Sequence, residues 1–432
     1  MKYFSLNENA PDVSFRDAVV NGIAPDRGLY FPESISPLAK EFIDNIENYS
    51  NNEIAYEVIK QFIGDEIPEQ DLKEIIEETL CFDFPIVPIE ENIGSLELFH
   101  GPTMAFKDVG GRFMARCLGY FNKKEKNDKD ITVLVATSGD TGGAVASGFL
   151  GVEGVKVVIL YPSGKVSNVQ EKQLTTLGQN ITALEVEGAF DDCQDMVKTA
   201  FLDPSLAPYR NLTSANSINV ARWLPQAFYF FFAYKQLKDK SKDLVFSVPS
   251  GNFGNICAGM IGQKLGLPIK TFVTGTNVNK VVPTYLETGE YEPKPTIQTI
   301  SNAMDVGAPS NFIRIEKLHD FDINKLRKNL KGYSYTDDEA TRAMGYLYQK
   351  FNYVAEPHGA IGYLALKNYL KTTKNTQGLF LETAHPVKFM DVLFEGVAET
   401  IALPDQIKAV IDKPKVSIKI SDYEGLTDFL KS

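Results

Sequence analysis

One lysine of this sequence, Lys107, stands in surroundings that favour covalent chemistry. Phe106 and Asp108 flank it, residues 100–103 (HGPT) precede it, and two glycines at 110–111 follow it. Most lysines are solvated and charged, whereas burial in a dry pocket lowers the pKa of a lysine and leaves a neutral amine that can form a Schiff base. The neighbourhood, rather than the composition of the chain, marks Lys107 as a candidate nucleophile.

Two turns rich in glycine, serine and threonine predict binding sites for anions. One spans residues 137–143 (TSGDTGG) after the apolar segment ITVLVA, and the other spans residues 250–255 (SGNFGN) after LVFSVP. A turn between a strand and a helix points backbone N–H groups outward, and the helix dipole attracts negative charge. Neither turn is a P-loop or a dinucleotide fingerprint. One such turn alone is equally consistent with a plain tight turn, but two in one chain favour binding.

The segments around these turns predict two α/β lobes behind a mainly helical N-terminal region. From about residue 98, apolar β-branched runs alternate with amphipathic stretches, which is typical of parallel sheets covered on both faces. The predicted strands are 131–136, 156–160, 181–186, 244–248, 269–273 and 378–382, and the predicted helices include 72–80, 192–201 and 222–237. The predicted domains are residues 1–97, mainly helical, then 98–240 and 241–432, one α/β lobe each.

The composition argues against several other classes of protein. The 432 residues carry a formal charge of −12, whereas binding to nucleic acids or anionic membranes needs a surplus of lysine and arginine. The four cysteines and four histidines lack the spacing of disulfide frameworks or metal sites. The N-terminus lacks the apolar stretch of a signal peptide, and the longest apolar run, 227–234, is too short to cross a membrane. We expect a cytoplasmic protein without an evident protein partner, with a solvated loop at the mixed-charge run 123–129.

A resemblance to a known family extends these interpretations. The segment LFHGPTMAFKDVGGRF, residues 98–113, resembles the cofactor-lysine segment of threonine synthases, which belong to the fold-type II pyridoxal-phosphate family. Six further segments resemble the same enzymes in the same order, namely residues 14–33, 137–146, 161–178, 216–226, 249–255 and 382–389. The long N-terminal region is similar to the longer branch found in bacteria and fungi. The resemblance implies two doubly wound lobes of the tryptophan synthase β-like fold.

The resemblance also implies how pyridoxal 5'-phosphate would be held. Lys107 would carry the cofactor as a Schiff base and then act as general base and acid. Thr383 would place its hydroxyl against the pyridine nitrogen, which a hydroxyl cannot keep protonated as a carboxylate would. On its residues alone, Thr383 is an ordinary hydroxyl at the end of a strand. The cradle for the cofactor phosphate would be the second turn, with Gly251, Asn252, Phe253, Gly254 and Asn255.

The residues implied for the substrate lie in two other segments. The first turn would bind the substrate carboxylate through Ser138, Gly139, Asp140, Thr141 and Gly142. Related enzymes carry asparagine at the Asp140 position, and a carboxylate there would repel the cofactor's phenolate, so the role of Asp140 stays open. Asn216, Ser217 and Arg222 resemble the family's pocket for the substrate phosphate, and an arginine fork with amide and hydroxyl donors suits a dianion. Without the resemblance, Arg222 is equally a charge on the surface of a helix.

The implied activity is the conversion of O-phospho-L-homoserine and water into L-threonine and phosphate by β,γ-elimination and replacement. Two alternatives stay open. The chain could be a related pyridoxal-phosphate lyase acting on serine or threonine, although the segment 216–226 and the N-terminal signature speak against that. It could also be a paralogue that binds a phosphorylated amino acid without turnover, although the intact surroundings of Lys107 argue against decay. His100 and His385 lie inside the matching segments and are expected near the site.

Overall fold

The computed structural model of the protein describes residues 1–125, 130–394 and 396–432. The strands are β1 Lys2–Ser5, β2 Val13–Ser14, β3 Tyr30–Pro32, β4 Ile86–Glu90, β5 Ile93–Glu97, β6 Ile131–Ala136, β7 Val155–Pro162, β8 Ile181–Val186, β9 Asn211–Ser214, β10 Asp243–Pro249, β11 Ile269–Thr276, β12 Leu330–Ser334, β13 Thr376–Glu382 and β14 Ile418–Ile420. The first helices are α1 Phe15–Asn21, α2 Lys40–Asp44, α3 Asn51–Ile63, α4 Glu69–Thr79, α5 Lys107–Glu125, α6 Asp140–Phe149, α7 Asn168–Thr175, α8 Phe190–Leu202 and α9 Val220–Trp223. The later helices are α10 Phe228–Gln236, α11 Gly254–Lys264, α12 Val281–Thr288, α13 Phe312–Leu318, α14 Ile323–Asn329, α15 Asp337–Phe351, α16 Pro357–Leu370, α17 Asp405–Ile411 and α18 Tyr423–Lys431. None of the helices among these residues is long and apolar enough to span a bilayer.

Two largely parallel sheets form the two lobes. In the described part of the chain, one sheet has the order β14-β8-β7-β6-β9 and the other the order β12-β11-β10-β13-β5-β4. Every pair in them is parallel except β4 with β5. All six strands predicted from apolar runs are confirmed. They could be predicted because a strand that is covered by helices on both faces is apolar along its whole length.

The N-terminal region is mainly helical, as expected, but it also contains a small sheet. β1 pairs antiparallel with β2 and with β3. The short strands escaped prediction because they have two to four residues each. Local helix signals were clearer: Ser50 caps α3 and forms a capping box with Glu53.

The stretch 222–237, predicted as one helix, is interrupted. A 3-10 turn, Leu224–Ala227, separates α9 from α10. Pro225 lacks the N–H that a continuous α-helix would need at this position. The aromatic side chains of α10 are buried, which confirms their assignment to the core. Lys123 and Lys124 belong to the last turn of α5 rather than to a loop, and residues 126–129 of that run lie outside the described residues.

Each of the two sheets includes a strand from a distant part of the sequence. β5, which precedes Lys107, pairs with β13 of the C-terminal half, and β14, near the C-terminus, pairs with β8. Neither sheet is therefore complete without residues that are distant in sequence. The domain limits after residues 97 and 240 stay a prediction.

Arg314, in α13, ties the N-terminal region to the lobes. Its guanidinium is fully buried and donates to the carbonyl oxygens of Tyr30 at 2.8 Å and Ile218 at 2.7 Å. It also donates to Asn311 Oδ1 at 2.7 Å and lies 4.1 Å from the centre of the Trp223 ring. Burial lowers the pKa of Arg314 to about 10, so the group remains charged at neutral pH.

Replacing Arg314 by methionine should lower the free energy of unfolding by about 2–4 kcal/mol, since three buried acceptors would lose a charged donor. Urea denaturation followed by circular dichroism measures the change. Arg342→Met is the matched control, because the Arg342 side chain is exposed on α15, and we expect a change within about 0.5 kcal/mol. Equal losses in the two variants would contradict the structural role of Arg314.

Candidate active site

Two distant parts of the chain meet in a short antiparallel contact just before α5. The amide of Phe106 donates to the carbonyl of Thr383 at 2.8 Å, and the amide of His385 donates to the carbonyl of Met104 at 3.0 Å. Thr383 directly follows the last residue of β13, and Lys107 is the first residue of α5. The contact therefore brings the candidate nucleophile to the carboxyl end of the six-stranded sheet, where α/β proteins bind ligands.

Lys107 is in an environment that disfavours its charged form. Burial lowers the pKa of Lys107 to about 8, the positive charges of Lys388 and Arg222 act in the same direction, and the carboxylates of Asp140 and Glu356 oppose them. The N-terminus of a helix also disfavours a cation. With this pKa, about a tenth of the amine would be neutral at pH 7, far more than for a solvated lysine, and the neutral form is the nucleophile.

Asp140 has a cationic partner that the sequence did not indicate. Its Oδ1 lies 2.5 Å from Lys388 Nζ and accepts a hydrogen bond from Gln170 Nε2 at 3.0 Å. Burial alone would raise the pKa of Asp140, but the ammonium groups of Lys388 and Lys107 hold it below its ordinary value. Asp140 is thus a paired carboxylate. Lys388 lies in the segment 382–389 that resembled the family, yet no spacing pattern linked it to a residue 248 positions earlier.

The first glycine-rich turn joins β6 to α6 as predicted. The Thr137 hydroxyl accepts hydrogen bonds from the amides of Gly139 at 2.9 Å and Gly142 at 2.8 Å, which fixes the turn. Ser138 and Thr141 remain partly accessible at the carboxyl end of the sheet. Asp140 begins α6 and is the member of this turn that interacts with Lys107.

The second turn joins β10 to α11 and has the features of an anion cradle. Phe253 adopts a left-handed conformation with φ of 61°, and no side chain caps the N-terminus of α11. Asn255 is buried, and neither atom of its side-chain amide has a hydrogen-bond partner. A Cβ on Gly251 would lie 2.3 Å from the carbonyl oxygen of Ala303, so this position admits only glycine without movement of the neighbouring backbone. Buried unpaired donors beside an uncapped helix N-terminus suit a phosphate group.

The segment 216–222 connects this cradle to Lys107. Asn252 Nδ2 donates to Ser217 Oγ at 2.9 Å, and Asn311 Nδ2 donates to the same oxygen at 3.4 Å. The amide of Asn216 donates to Ser214 Oγ at 3.3 Å. The two segments that were assigned to different phosphates are therefore in direct contact.

Arg222 is buried rather than exposed on a helix surface. Its Nη1 donates to the carbonyl of Ala215, whereas Nε is buried without a partner. Burial lowers the pKa of Arg222 to about 10. A Cβ on Gly110 would lie 2.5 Å from the Arg222 carbonyl oxygen, which shows how closely α5 approaches α9. A buried guanidinium with an unused donor, close enough to influence Lys107, is suited to a bound anion.

A buried acidic group behind Thr383 was missed from the sequence. Thr383 Oγ1 lies 3.5 Å from Glu356 Oε1, and Glu356 Oε2 lies 2.5 Å from His358 Nδ1. His358 Nε2 accepts the amide of Ala303 at 3.1 Å, which connects this group to the anion cradle. His385 is nearby but distinct: burial lowers its pKa to about 4, and its Nδ1 accepts the amide of Val387. His100 instead pairs at 2.8 Å with a carboxylate of β5.

Two adjacent buried carboxyl groups have different hydrogen-bond partners. The donors of His358 and the amide of Gly359 converge on Glu356. Glu382 receives the amide of Glu356 at 2.7 Å, and its Oε2 has no partner. Burial, together with the charges of Glu356 and Glu97, raises the pKa of Glu382 well above its ordinary value. The surroundings of Glu382 therefore favour its protonated form.

Three family models match the chain. The model described as "Pyridoxal-phosphate dependent enzyme" matches residues 95–380, "Threonine synthase N terminus" matches residues 2–80, and "Threonine synthase, C-terminal" matches residues 359–430. The first of these includes every residue described above for the site except Glu382, Thr383, His385 and Lys388, which fall in the third.

Known proteins resemble the chain over its whole length. The threonine synthase of Escherichia coli (strain K12) is 44% identical over 428 residues, which are 99% of this chain and 98% of that protein. The threonine synthase of Eremothecium gossypii is 34% identical, over 100% of this chain and 96% of that protein. The crystal structure of PLP-bound threonine synthase from Brucella melitensis has a TM-score of 0.92 at 33% identity, and the match covers 100% of this chain and 99% of that one.

The raised pKa of Glu382 predicts that the free energy of unfolding depends on pH. A raised pKa in the folded protein gives stability that is complete below the unfolded value of 4.5 and is lost as pH rises through the folded value. Glu382→Gln removes this loss, so its free energy of unfolding should gain on that of the wild type above about pH 5, by up to about 1.4 kcal/mol per pH unit. Urea denaturation from pH 5 to 8 measures the difference.

The control for this comparison is Glu77→Gln, since Glu77 is exposed on α4. Its difference from the wild type should stay constant over the same pH range. A Glu382→Gln protein whose difference from the wild type also stays constant from pH 5 to 8 would mean that Glu382 is already ionised in the folded protein.

Proposed function

The chain belongs to the threonine synthase family of pyridoxal-phosphate-dependent enzymes, and we propose that it converts O-phospho-L-homoserine and water into L-threonine and phosphate. The observation that carries the choice of substrate is the buried guanidinium of Arg222, which has an unused donor and lies close enough to Lys107 to lower its pKa. A substrate that brings its own phosphate would provide the missing anion. The cytoplasmic location expected from the composition remains part of the proposal.

The residues around Lys107 fit pyridoxal phosphate in three respects. A lysine with a pKa of about 8 supplies the amine that attaches the cofactor. The turn from Gly251 to Asn255 supplies the unpaired amide of Asn255 and the uncapped N-terminus of α11 for its phosphate. Thr383, backed by Glu356, supplies a hydroxyl for the pyridine nitrogen. The bound cofactor would supply the electron sink that stabilises negative charge on the substrate carbons.

The substrate would be held at its two ends. Ser138, Gly139, Asp140, Thr141 and Gly142 form the turn assigned to the α-carboxylate, where the first turn of α6 and the hydroxyls offer donors. At the other end, Arg222, Asn216 and Ser217 would hold the phosphate that leaves. Fixing both ends orients the carbon chain between them, and such positioning lowers the barrier by removing the freedom that the reactants would otherwise lose.

Lys107 would also transfer the protons. Its Nζ, freed when the substrate amine takes its place, would accept the proton from the α carbon and, after giving that proton up again, a proton from the β carbon. The same nitrogen would later return protons as the product forms. A pKa of about 8 suits both directions, since an effective acid–base group has a pKa close to the working pH.

The proposal is tested by phosphate release and by the site of cofactor attachment. The purified protein should release phosphate from O-phospho-L-homoserine, and borohydride reduction followed by peptide mapping should find the cofactor mass on Lys107. Lys107→Ala should abolish both. Lys388, which is also a lysine of the site and is buried, serves as the internal comparison for the position of the label. Label on Lys388, or turnover of serine or threonine without phosphate release from phosphohomoserine, would contradict the proposal.

The two anion sites predict different effects of substitution. Arg222→Met should weaken binding of phosphohomoserine by about one to two decades, because loss of a charge-assisted hydrogen bond costs about 1.5–3 kcal/mol. Its cofactor content should be unchanged. Gly251→Ala should instead deplete bound cofactor, because the added Cβ would lie 2.3 Å from the Ala303 carbonyl oxygen. Substrate titration and the ratio of cofactor to protein measure the two effects.

Gly262, in the helix α11 that follows this turn, serves as the control. At Gly262 an added Cβ would meet the end of the Leu267 side chain at 3.2 Å, which can move. Gly262→Ala should therefore retain the cofactor. If Arg222→Met lost cofactor and kept its substrate affinity, the two sites would have to be exchanged.

A further inference from the structure

Lys388 and Asp140 form a buried ion pair between the two lobes. Their Nζ and Oδ1 atoms are 2.5 Å apart, and the side chains have exposed fractions of 0% and 6%. Asp140 begins α6 beside the five-stranded sheet, whereas Lys388 lies in the 3-10 turn Pro386–Phe389 that follows the six-stranded sheet. Lys388 also donates to the carbonyl of Thr103 at 3.0 Å. A fully buried ammonium thus has two fixed acceptors, and one of them is a carboxylate that also interacts with Lys107.

Asp140 is a potential competitor for the Lys107 amine. A carboxylate beside a lysine favours the charged ammonium, which is not a nucleophile. In the structure, Asp140 Oδ1 is instead engaged by Lys388 and Gln170. The other charged groups that act on Lys107 are Arg222, which favours the neutral amine, and Glu356, which opposes it.

We propose that Lys388 is a positioning residue for Lys107: by holding Asp140 in an ion pair, it prevents that carboxylate from capturing the Lys107 amine as an ammonium ion. The proposal rests on the function proposed above for Lys107 and adds a residue that determines whether this amine is available. The ion pair also explains how an aspartate is tolerated at this position, since its charge is already neutralised within the protein.

The consequences of removing each partner differ in sign. Without Lys388, the other cation that acts on Asp140 is Lys107, so the carboxylate favours protonation of that amine and the pKa of Lys107 rises. Without Asp140, the competitor is gone, and the pKa of Lys107 stays at the wild-type value or falls. When both Lys388 and Asp140 are replaced, neutral groups take the place of the ion pair. The rise in the pKa of Lys107 that follows the loss of Lys388 alone is then reversed.

The test measures the reactivity of the Lys107 amine directly in the full-length protein freed of cofactor. Trace labelling with acetic anhydride between pH 6 and 10, followed by peptide mass spectrometry, gives the rate at Lys107 and its apparent pKa. The variants are Lys388→Met, Asp140→Asn and the double substitution. Lys388→Arg retains the positive charge, and Lys415→Met removes a lysine that pairs with Glu171 and Glu185 rather than with Asp140.

The wild type should titrate at about 8. In Lys388→Met the midpoint should move toward about 10, and labelling at pH 7 should slow at least about tenfold, since one pKa unit reduces the free amine tenfold. Asp140→Asn and the double variant should label at the wild-type rate or faster. Lys388→Arg and Lys415→Met should keep the wild-type profile.

An unchanged midpoint in Lys388→Met, or a raised midpoint that persists in the double variant, would overturn the proposal. Should Lys388→Met fail to fold, the other variants decide: slower labelling of Lys107 in Asp140→Asn would also overturn it. Borohydride labelling of the loaded wild type separates the two ideas. Loss of that label from Lys107 refutes the proposed function, whereas the acetylation profiles concern Lys388 alone.

Discussion

The short antiparallel contact that ends β13 and precedes α5 is the constraint on which the site depends. Only two amide hydrogen bonds form it, from Phe106 to Thr383 and from His385 to Met104. Yet this contact determines where α5 begins, where the strand-end hydroxyl lies, and how the turn carrying Lys388 reaches across to α6. Because its two halves are about 280 residues apart in sequence, the site exists only when both lobes are folded and docked.

A second constraint is the removal of water from several charges at once. Arg222 and Arg314 are both buried, and the hydrogen bonds of each go to carbonyl or amide oxygens rather than to carboxylates. Burial without a counter-ion is expensive, so such groups persist where packing holds them or where a ligand neutralises them. Nε is without a partner in both arginines. Arg314 satisfies the first condition through three hydrogen bonds to protein oxygens. Arg222 makes a single hydrogen bond among the described residues and lies close enough to Lys107 to lower its pKa, which favours the second condition.

Local signals made much of this architecture predictable. The turns after β6 and β10 follow from apolar strands, glycines and helix starts that are adjacent in sequence. The pairing of Asp140 with Lys388 and the group formed by Glu356, His358 and Glu382 could not be predicted, because each depends on contacts between segments that no spacing rule relates. For the same reason, the repulsion expected between Asp140 and the cofactor's phenolate did not take account of Lys388, which pairs with this carboxylate. Pro225 is a sequence signal for a helix break, but the continuous apolar run around this proline favoured the prediction of a single helix.

The position of β14 has a consequence for the order in which the protein can be made. Strands β6 to β9 lie within about 85 residues of one another, yet β8 lies beside β14, which follows it by more than 230 residues. The outer edge of β8 is therefore without this neighbour until those residues have been synthesised. An uncovered strand edge invites pairing with other chains. Once β14 has formed, it covers this edge with a short strand, and its exposed Lys419 places a charge on the new edge.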